Sequence, residues 1–548
     1  MKKYFRIFKS YSTPEQKKEK RKQLLFGLSG GLMLGLSFPP LPVPYLLFFS
    51  LIPYLYILQK REGLAEINRF TYFFFFFFNI TTLYWVGSWT KDADPFLMIA
   101  GSTLMFFNPL LFLIPSTLYY YTKRSFGKNI ALYLFPFFWV FYEYIYTVSD
   151  FRFPWLTLAN GLAKFNIFIQ TADIIGAYGI SLIIIYINIF LLLLIKEYLS
   201  SKKISKLNLV PLLVLLILPV VYGFVKISTY QESDKRIKMG LIQPNLNPWK
   251  KWEAGGIKEQ LDVYLQLSEQ AVKSGAKVII WPESAMPVYL LTGSYELELN
   301  RIHQFLDRNN VHLMTGMPDA TFFYDSTTAP EDAKKTSGGT FYTSYNSILF
   351  FTPHSKTVQK YGKIMLVPFG EKVPLVEDIP FLGDIFRWNV GISSWNTGKE
   401  IKVFNMENAT NTLGGVICIE SIYPDFCSKF VDKGAEMIAI VTNDSWYGNS
   451  SGPYQHKEFA ALRAIENNRA VVRAANGGIS CLIDPLGRTV AKTEMFTRNF
   501  LVVDVPLNKQ KTFYTKYPLL VPYLSLIVTL TAILLSIFIN FKKRFNNK

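Results

Sequence analysis

Apolar residues are distributed along this chain in two ways. Up to residue 225, and again after residue 517, they form long runs broken by short polar stretches; between those limits they come in brief runs separated by charged and turn-forming residues. A helix that crosses the hydrocarbon core of a bilayer needs about 20 mostly apolar residues. Eight segments are candidates for such spans, at 24–38, 45–59, 70–89, 96–121, 130–148, 174–195, 209–225 and 518–541. The first two are short and are joined by Pro39-Pro40-Leu41-Pro42-Val43-Pro44, which reads as a tight turn between antiparallel spans. The phenylalanine run at 73–78 lies inside a span and reads as a lipid-facing surface.

The middle region follows other periods. Strand-like runs fall at 237–243, 277–281, 312–315, 347–351, 413–419, 436–441, 471–474 and 501–505, with helix-like stretches at 256–273, 296–308, 425–433 and 454–467. Strands alternating with amphipathic helices predict a layered α/β domain. The expected organisation is a membrane domain of seven transmembrane helices at 1–225, one α/β domain at 226–517, and a last transmembrane helix with a basic tail at 518–548.

Composition and charge narrow the class. With 548 residues, 50% of them hydrophobic, and a mean hydropathy of +0.19, the chain is too long for one domain, too apolar for an ordinary water-soluble enzyme, and neither disordered nor fibrous. A formal charge of +18 would suggest nucleic acid if it lined one face. Instead Lys and Arg gather ahead of the first span, in the loops 60–69, 122–129 and 196–208, and after residue 541, which is every second connection. Positive residues beside spans accumulate on the cytoplasmic side. Both termini are therefore expected in the cytoplasm and the α/β domain outside it, with no role for nucleic acid. No small-residue cleavage pattern follows the first span, so it is expected to persist as an anchor rather than leave as a signal peptide.

Four histidines, none at metal-ligand spacing, predict no zinc site. The G-x-S-x-G elbow, the P-loop and G-x-G-x-x-G are absent. What remains are three polar breaks in apolar runs: Trp281-Pro282-Glu283, Lys363 ahead of Val367-Pro368-Phe369-Gly370-Glu371, and Cys418-Ile419-Glu420. Each alone has a plainer reading: Glu283 as a solvated strand end, the Lys363 segment as an edge strand, Cys418 as a small buried hydrophobe. Together they form a constellation. A thiol attacks as thiolate and needs a base or a cation beside it. A glutamate in a poorly solvated pocket can take its proton, and a lysine can hold an oxyanion while favouring the thiolate. Those are the three roles of acyl transfer through a thioester. Cys427 and Cys481 lie in no comparable motif and are expected to be non-catalytic; whether they pair is left open.

In this order W-P-E, K-x-x-x-V-P-F-G-E and C-x-E resemble the Glu-Lys-Cys core of the nitrilase superfamily. With the flanking spans the chain is similar to that superfamily's membrane-bound apolipoprotein N-acyltransferase family. Gln243-Pro244-Asn245, Lys251-Trp252, Asn443-Asp444-Ser445-Trp446-Tyr447-Gly448, Gly452-Pro453-Tyr454-Gln455-His456, Tyr84-Trp85-Val86 and Phe153-Pro154-Trp155-Leu156 extend the likeness over nearly the whole chain. The resemblance implies an αββα sandwich beside the polytopic helical domain, with Glu283 as general base, Lys363 as oxyanion stabiliser and Cys418 as nucleophile. It implies supporting roles for Glu371 and Glu420, substrate-facing aromatics at Trp252, Trp446, Tyr447 and Trp155, and neither metal nor cofactor. The implied reaction moves a fatty acyl chain from a phospholipid to the α-amine of a lipoprotein's diacylglyceryl-modified N-terminal cysteine. It is ping-pong, carried out by a monomer in the bacterial inner membrane with its catalytic domain in the periplasm. Ile419 departs from the tyrosine that some relatives carry there. The apolar stretch 380–395 is expected to dip into the interface. Two other classes fit more loosely: a tethered amidase using the same triad with water, and a transporter with a binding domain. The second is opposed by how few ionisable residues the spans hold, Glu143 being the clearest.

Overall fold

Up to Thr229 the chain is almost wholly helical: α1 (Pro14–Leu36), α2 (Ile52–Lys60), α3 (Leu64–Leu83), α4 (Pro95–Leu111), α5 (Leu113–Phe126), α6 (Lys128–Val148), α7 (Ala172–Ser201) and α8 (Lys206–Thr229). The computed structural model describes residues 13–90, 93, 95–250, 256–372, 374, 395–406 and 411–546. Among these, six stretches are long and apolar enough to cross a membrane: Leu64–Gly87, Leu97–Phe126, Lys128–Val148, Ala172–Ser201, Lys206–Thr229 and Leu520–Lys543.

The first two sequence candidates fold differently. Charged residues fill the first half of α1, so its apolar part, 24–36, is only about 20 Å long at 1.5 Å per residue. Small residues bring it against α3: a Cβ on Gly30 or Gly31 would collide with Phe74. The segment 45–59 breaks at Leu51, between a turn at Leu47–Ser50 and α2, whose first turn contains Pro53. Asn188 of α7 repairs the break, accepting from the Leu51 N–H at 3.0 Å and donating to the Leu47 carbonyl at 2.9 Å. Irregular backbone survives in a membrane domain where protein groups satisfy it in this way.

The α/β region contains β1 (Arg236–Gln243), β2 (Val278–Trp281), β3 (His312–Phe323), β4 (Lys334–Lys335), β5 (Phe341–Phe351), β6 (Val358–Gly362), β7 (Val403–Asn405), β8 (Thr412–Ile417), β9 (Met437–Thr442), β10 (Val471–Ala475), β11 (Cys481–Ile483), β12 (Thr489–Lys492) and β13 (Asn499–Pro506). One sheet has the order β13-β1-β2-β3-β5-β4, with β6 also on β5; the other runs β12-β11-β10-β9-β8-β7. The central strands β1-β2-β3 and β8-β9-β10 are parallel. Helices α9 (Ile257–Lys273) and α10 (Glu296–Asn309) cover the first sheet, α11 (Pro424–Asp432) and α12 (Ser451–Asn467) the second. Strand alternation sorts the core into layers. In β2, Val278 and Ile280 enter the core shared with the second sheet, whereas Ile279 and Trp281 pack with Tyr264 and Phe305 of the covering helices. The result is the αββα sandwich that the sequence implied.

The two regions are docked. α12 lies along α7, which turns sharply at Gly176 (φ 64°), where the Tyr514 ring leaves no space for a side chain. The Ala177 N–H beside this turn donates to Glu466 Oε1 of α12 at 2.9 Å, and Glu466 is held by Arg463 at 2.8 Å. After β13 the chain returns through α13 (Leu520–Asn546).

Candidate active site

The three polar breaks converge just beyond the carboxyl ends of β2, β6 and β8, where successive turns leave the sheets. Glu283 is 7% exposed. Its Oε2 accepts the Asn443 N–H at 3.1 Å and its Oε1 accepts from Asn346 Nδ2 at 2.8 Å. Lys363, one residue past β6, is 1% exposed. Its Nζ lies 3.3 Å from Glu283 Oε1 and 2.9 and 2.8 Å from the two oxygens of Glu371. Asn346 of β5 also donates to Glu371 Oε1 at 2.8 Å, so one amide ties both carboxylates. Burial alone would discharge Lys363, but Glu371 and then Glu283 outweigh it and hold its pKa well above the usual value.

The strand expected at 413–419 stops at Ile417. The backbone turns left-handed at Cys418 (φ 50°) into a short 3-10 turn, Cys418–Ile422. Positive φ at a non-glycine residue persists where the surroundings fix it. Glu420, fully buried, is one such constraint. It accepts from the Ile417 N–H at 2.8 Å, the Tyr361 hydroxyl at 2.7 Å, and the N–H groups of Ile364 and Met365 at 2.8 and 3.1 Å. One carboxylate thus joins the cysteine turn to the segment carrying Lys363, and burial pushes its pKa up to about 7. Burial, reinforced by Glu283, pushes the Cys418 thiol far above its ordinary value, and Lys363 only partly opposes this. These surroundings favour the thiol over the thiolate, which leaves removal of its proton to a base, the role the resemblance implies for Glu283.

The aromatic candidates separate. Tyr447 is half-buried, with its ring edge-on to Trp85 at 4.7 Å. Trp446 packs edge-on to Trp249 at 4.8 Å, and its carbonyl accepts from Ser88. Trp155 is buried, 4% exposed. Its indole N–H donates to Gln455 Oε1 at 2.7 Å, and the same oxygen receives the Trp85 indole at 3.1 Å. The geometry therefore places Trp155 in the seam between the membrane helices and α12. Trp252 and residues 380–394 lie outside the described residues. Cys427 and Cys481 are buried free thiols.

An apolar cleft of about 130 Å³ adjoins the site, walled by Trp85, Leu104, Phe107 and Phe151 from the helical region and by Phe369 and Tyr447 from the sandwich. Sequence reasoning missed Asn346, Tyr361 and the buried group around His456. Asp444 and His456 sit in stretches that carry the family likeness, but their roles depend on partners distant in sequence, as do those of Asn346 and Tyr361.

Comparison with known proteins places both halves of the chain. The family model of the apolipoprotein N-acyltransferase N-terminal domain matches residues 30–190, and that of the carbon-nitrogen hydrolases matches residues 239–513. An apolipoprotein N-acyltransferase of Chlorobaculum tepidum is 33% identical over 514 residues, covering 92% of this chain and 95% of the relative. One of Geobacter metallireducens is 29% identical, covering 91% and 92%. Among solved structures, an amidase from Nesterenkonia sp. is similar with 15% identity and a TM-score of 0.36, over 51% of this chain and 93% of that one. Matched from its membrane helices through its sandwich to full-length relatives of the same kind, this chain belongs to the apolipoprotein N-acyltransferase family.

Proposed function

We propose that this protein N-acylates lipoproteins by a double displacement through a thioester on Cys418, with a membrane phospholipid as donor. The observation that carries the reading is the buried Lys363, held by Glu283 and Glu371, on a segment whose next residues, Val367–Gly370, line an apolar cleft shared with the membrane helices. In the first half-reaction Glu283 takes the thiol proton as Cys418 Sγ attacks the donor ester carbonyl. Lys363 Nζ stabilises the oxyanion, the C–O bond breaks, and the proton passes to the departing lysophospholipid alcohol. In the second, the α-amine of a diacylglyceryl-modified cysteine attacks the thioester, Glu283 takes its proton, and the amide forms as Cys418 leaves and is reprotonated. Glu371 holds Lys363 charged; Glu420 fixes the cysteine turn against the lysine segment. The cleft, lined by residues of both the membrane helices and the sandwich, would take part of an acyl chain. A half-buried thiol whose surroundings favour the protonated form suits this scheme, because the base acts only when an acyl carbonyl is in place.

Intact-mass measurement of the detergent-solubilised protein after incubation with phospholipid tests this directly. An acyl adduct mapping to Cys418, with lysophospholipid released in equal amount, is expected. Hydrolysis of a soluble amide with no lysophospholipid released would favour the tethered amidase instead.

A further inference from the structure

Behind Cys418 lies a buried polar cluster that the acyl-transfer scheme leaves unused. His456, on α12, is 3% exposed. Its Nε2 lies 3.1 Å from the Cys418 carbonyl oxygen and 2.9 Å from Ser421 Oγ, and the Ser421 hydroxyl donates to the same carbonyl at 2.8 Å. On its other side, Nδ1 lies 2.9 Å from Asp444 Oδ1 and 2.9 Å from Arg473 Nη2, and Arg473 also donates to Asp444 Oδ2. A carbonyl oxygen only accepts, and the Ser421 hydroxyl is given to it, so the Nε2 that faces both oxygens is assigned as a donor from this hydrogen-bond network.

The order Asp444, His456, Ser421 has the outline of a serine-hydrolase relay, yet its chemistry points elsewhere. Ser421 is 1% exposed and its hydroxyl is committed to the Cys418 carbonyl, so no substrate reaches it. What the cluster grips is the backbone of the cysteine itself, at the one residue of that turn with positive φ. Neighbouring Gln455 pins the same turn of α12 to Trp85 and Trp155, which fixes where the imidazole stands.

We infer that His456 is a positioning residue for acyl transfer: its Nε2–H, with the Ser421 hydroxyl, holds the carbonyl of left-handed Cys418 and so aims Sγ between Glu283 and Lys363. The inference rests on Cys418 being the nucleophile. Asp444 and Arg473 hold the ring in turn. Burial raises the Asp444 carboxyl, but Arg473 and His456 outweigh it and keep it well below its usual range, so it stays ionised as a fixed partner.

The test uses the full chain in detergent, single-turnover acylation by a diacyl phospholipid, and thermal unfolding to verify folding. His456→Leu removes the donor, whereas His456→Gln keeps an N–H near the same place. A misplaced nucleophile costs on the order of 100-fold, so His456→Leu is expected to lose about 100-fold in kcat. Its KM for the donor should stay within about twofold, and His456→Gln should recover to within about tenfold of wild type. Ser421→Ala, which removes one of the two donors but leaves the imidazole in place, should fall about tenfold. A wild-type rate in His456→Leu, a loss confined to KM, or no recovery in His456→Gln would overturn the inference. If His456→Leu does not fold, the other two variants decide: wild-type rates in both overturn it, and graded losses in kcat sustain it. Cys418→Ala is run alongside. If it still forms a covalent acyl-enzyme, the nucleophile assignment falls and takes this inference with it; if it is inactive while His456→Leu is fully active, only the positioning role is lost.

Discussion

Cys418 waits as a thiol because its surroundings disfavour charge. Burial comes first, the Glu283 carboxylate adds to it, and Lys363 repays only part. Proton removal and attack must then coincide, which separates the expected behaviour of three variants. Cys418→Ala should form no thioester with any donor. Lys363→Ala should lose about 10²–10³ in acylation rate with its oxyanion donor. It also leaves Glu283 and Glu371 facing each other without the cation between them, so a lowered unfolding temperature should accompany the loss. Glu283→Gln should slow both half-reactions, least with donors whose leaving group needs no proton. Single-turnover acylation followed by a chase with a diacylglyceryl peptide reads all three; full-rate turnover of both steps in Glu283→Gln would remove it as the base. Glu283, Lys363 and Cys418 stand out in the sequence because each breaks or borders an apolar run, whereas the role of Glu371 came with the family resemblance. Asn346 does not stand out, and His456 does so only as part of a family-like stretch with no role, since what defines them is a partner that only the fold supplies: the Glu283 carboxylate for one, the Cys418 carbonyl for the other.

Glu420 shows how elements, rather than residues, set the site. Its Oε1 receives three donors from the Tyr361–Met365 side and its Oε2 receives the Ile417 N–H, so the carboxylate is a strap between the β6 exit and the β8 exit. Glu420→Gln keeps the three donors on its carbonyl oxygen but points an N–H₂ at the Ile417 N–H. A buried donor left unpaired costs about 1–3 kcal/mol, and acylation should fall as the turn loosens. A pH signature goes with it. Burial raises the folded-state pKa of Glu420 from 4.5 to about 7, so the folded chain binds this proton more tightly than the unfolded chain. Its contribution to stability is full below about pH 4.5 and is lost as pH rises toward 7. Unfolding temperatures across that window should therefore fall less steeply in Glu420→Gln than in wild type; parallel slopes would show that this carboxyl does not titrate there. The same strap explains why the strand expected to run to 419 ends at 417: the side chain folds back and takes the backbone N–H that would have continued it. Hydrophobic runs reveal where strands and helices exist, but not where a long-range side chain cuts them. Leu51 is the membrane counterpart, since its break depends on Asn188 in a helix far along the chain.

At the scale of the molecule, the proposed lipid chemistry requires that the sandwich and the membrane meet on one side of the bilayer, and helix parity with loop charge supports one choice. The first two apolar segments form a hairpin through the proline-rich turn, so they enter and leave from the same face whether or not each crosses fully. Orientation is then set by the six long helices. Five precede the sandwich and one follows it, which puts the sandwich opposite the C-terminus. The loops on the C-terminal side are the basic ones, carrying Lys60, Arg61, Lys123, Arg124, Lys202 and Lys203, and because such loops accumulate in the cytoplasm we propose that the sandwich lies on the outer face. Docking agrees with this arrangement: Trp85, Trp155 and Ala177, which bond to α12, lie at the ends of their helices away from those loops. Labelling in spheroplasts with a membrane-impermeant maleimide tests the orientation on a Cys418→Ser background, where Cys427 and Cys481 are buried. Tyr324→Cys, at a position 91% exposed on the sandwich, should react at once in intact cells. Ser200→Cys, in the last turn of α7 beside the basic connection to α8, should react only after the membrane is opened. The reverse pattern would put the sandwich in the cytoplasm, and with it the whole site on the wrong side for a lipoprotein already carried across the membrane.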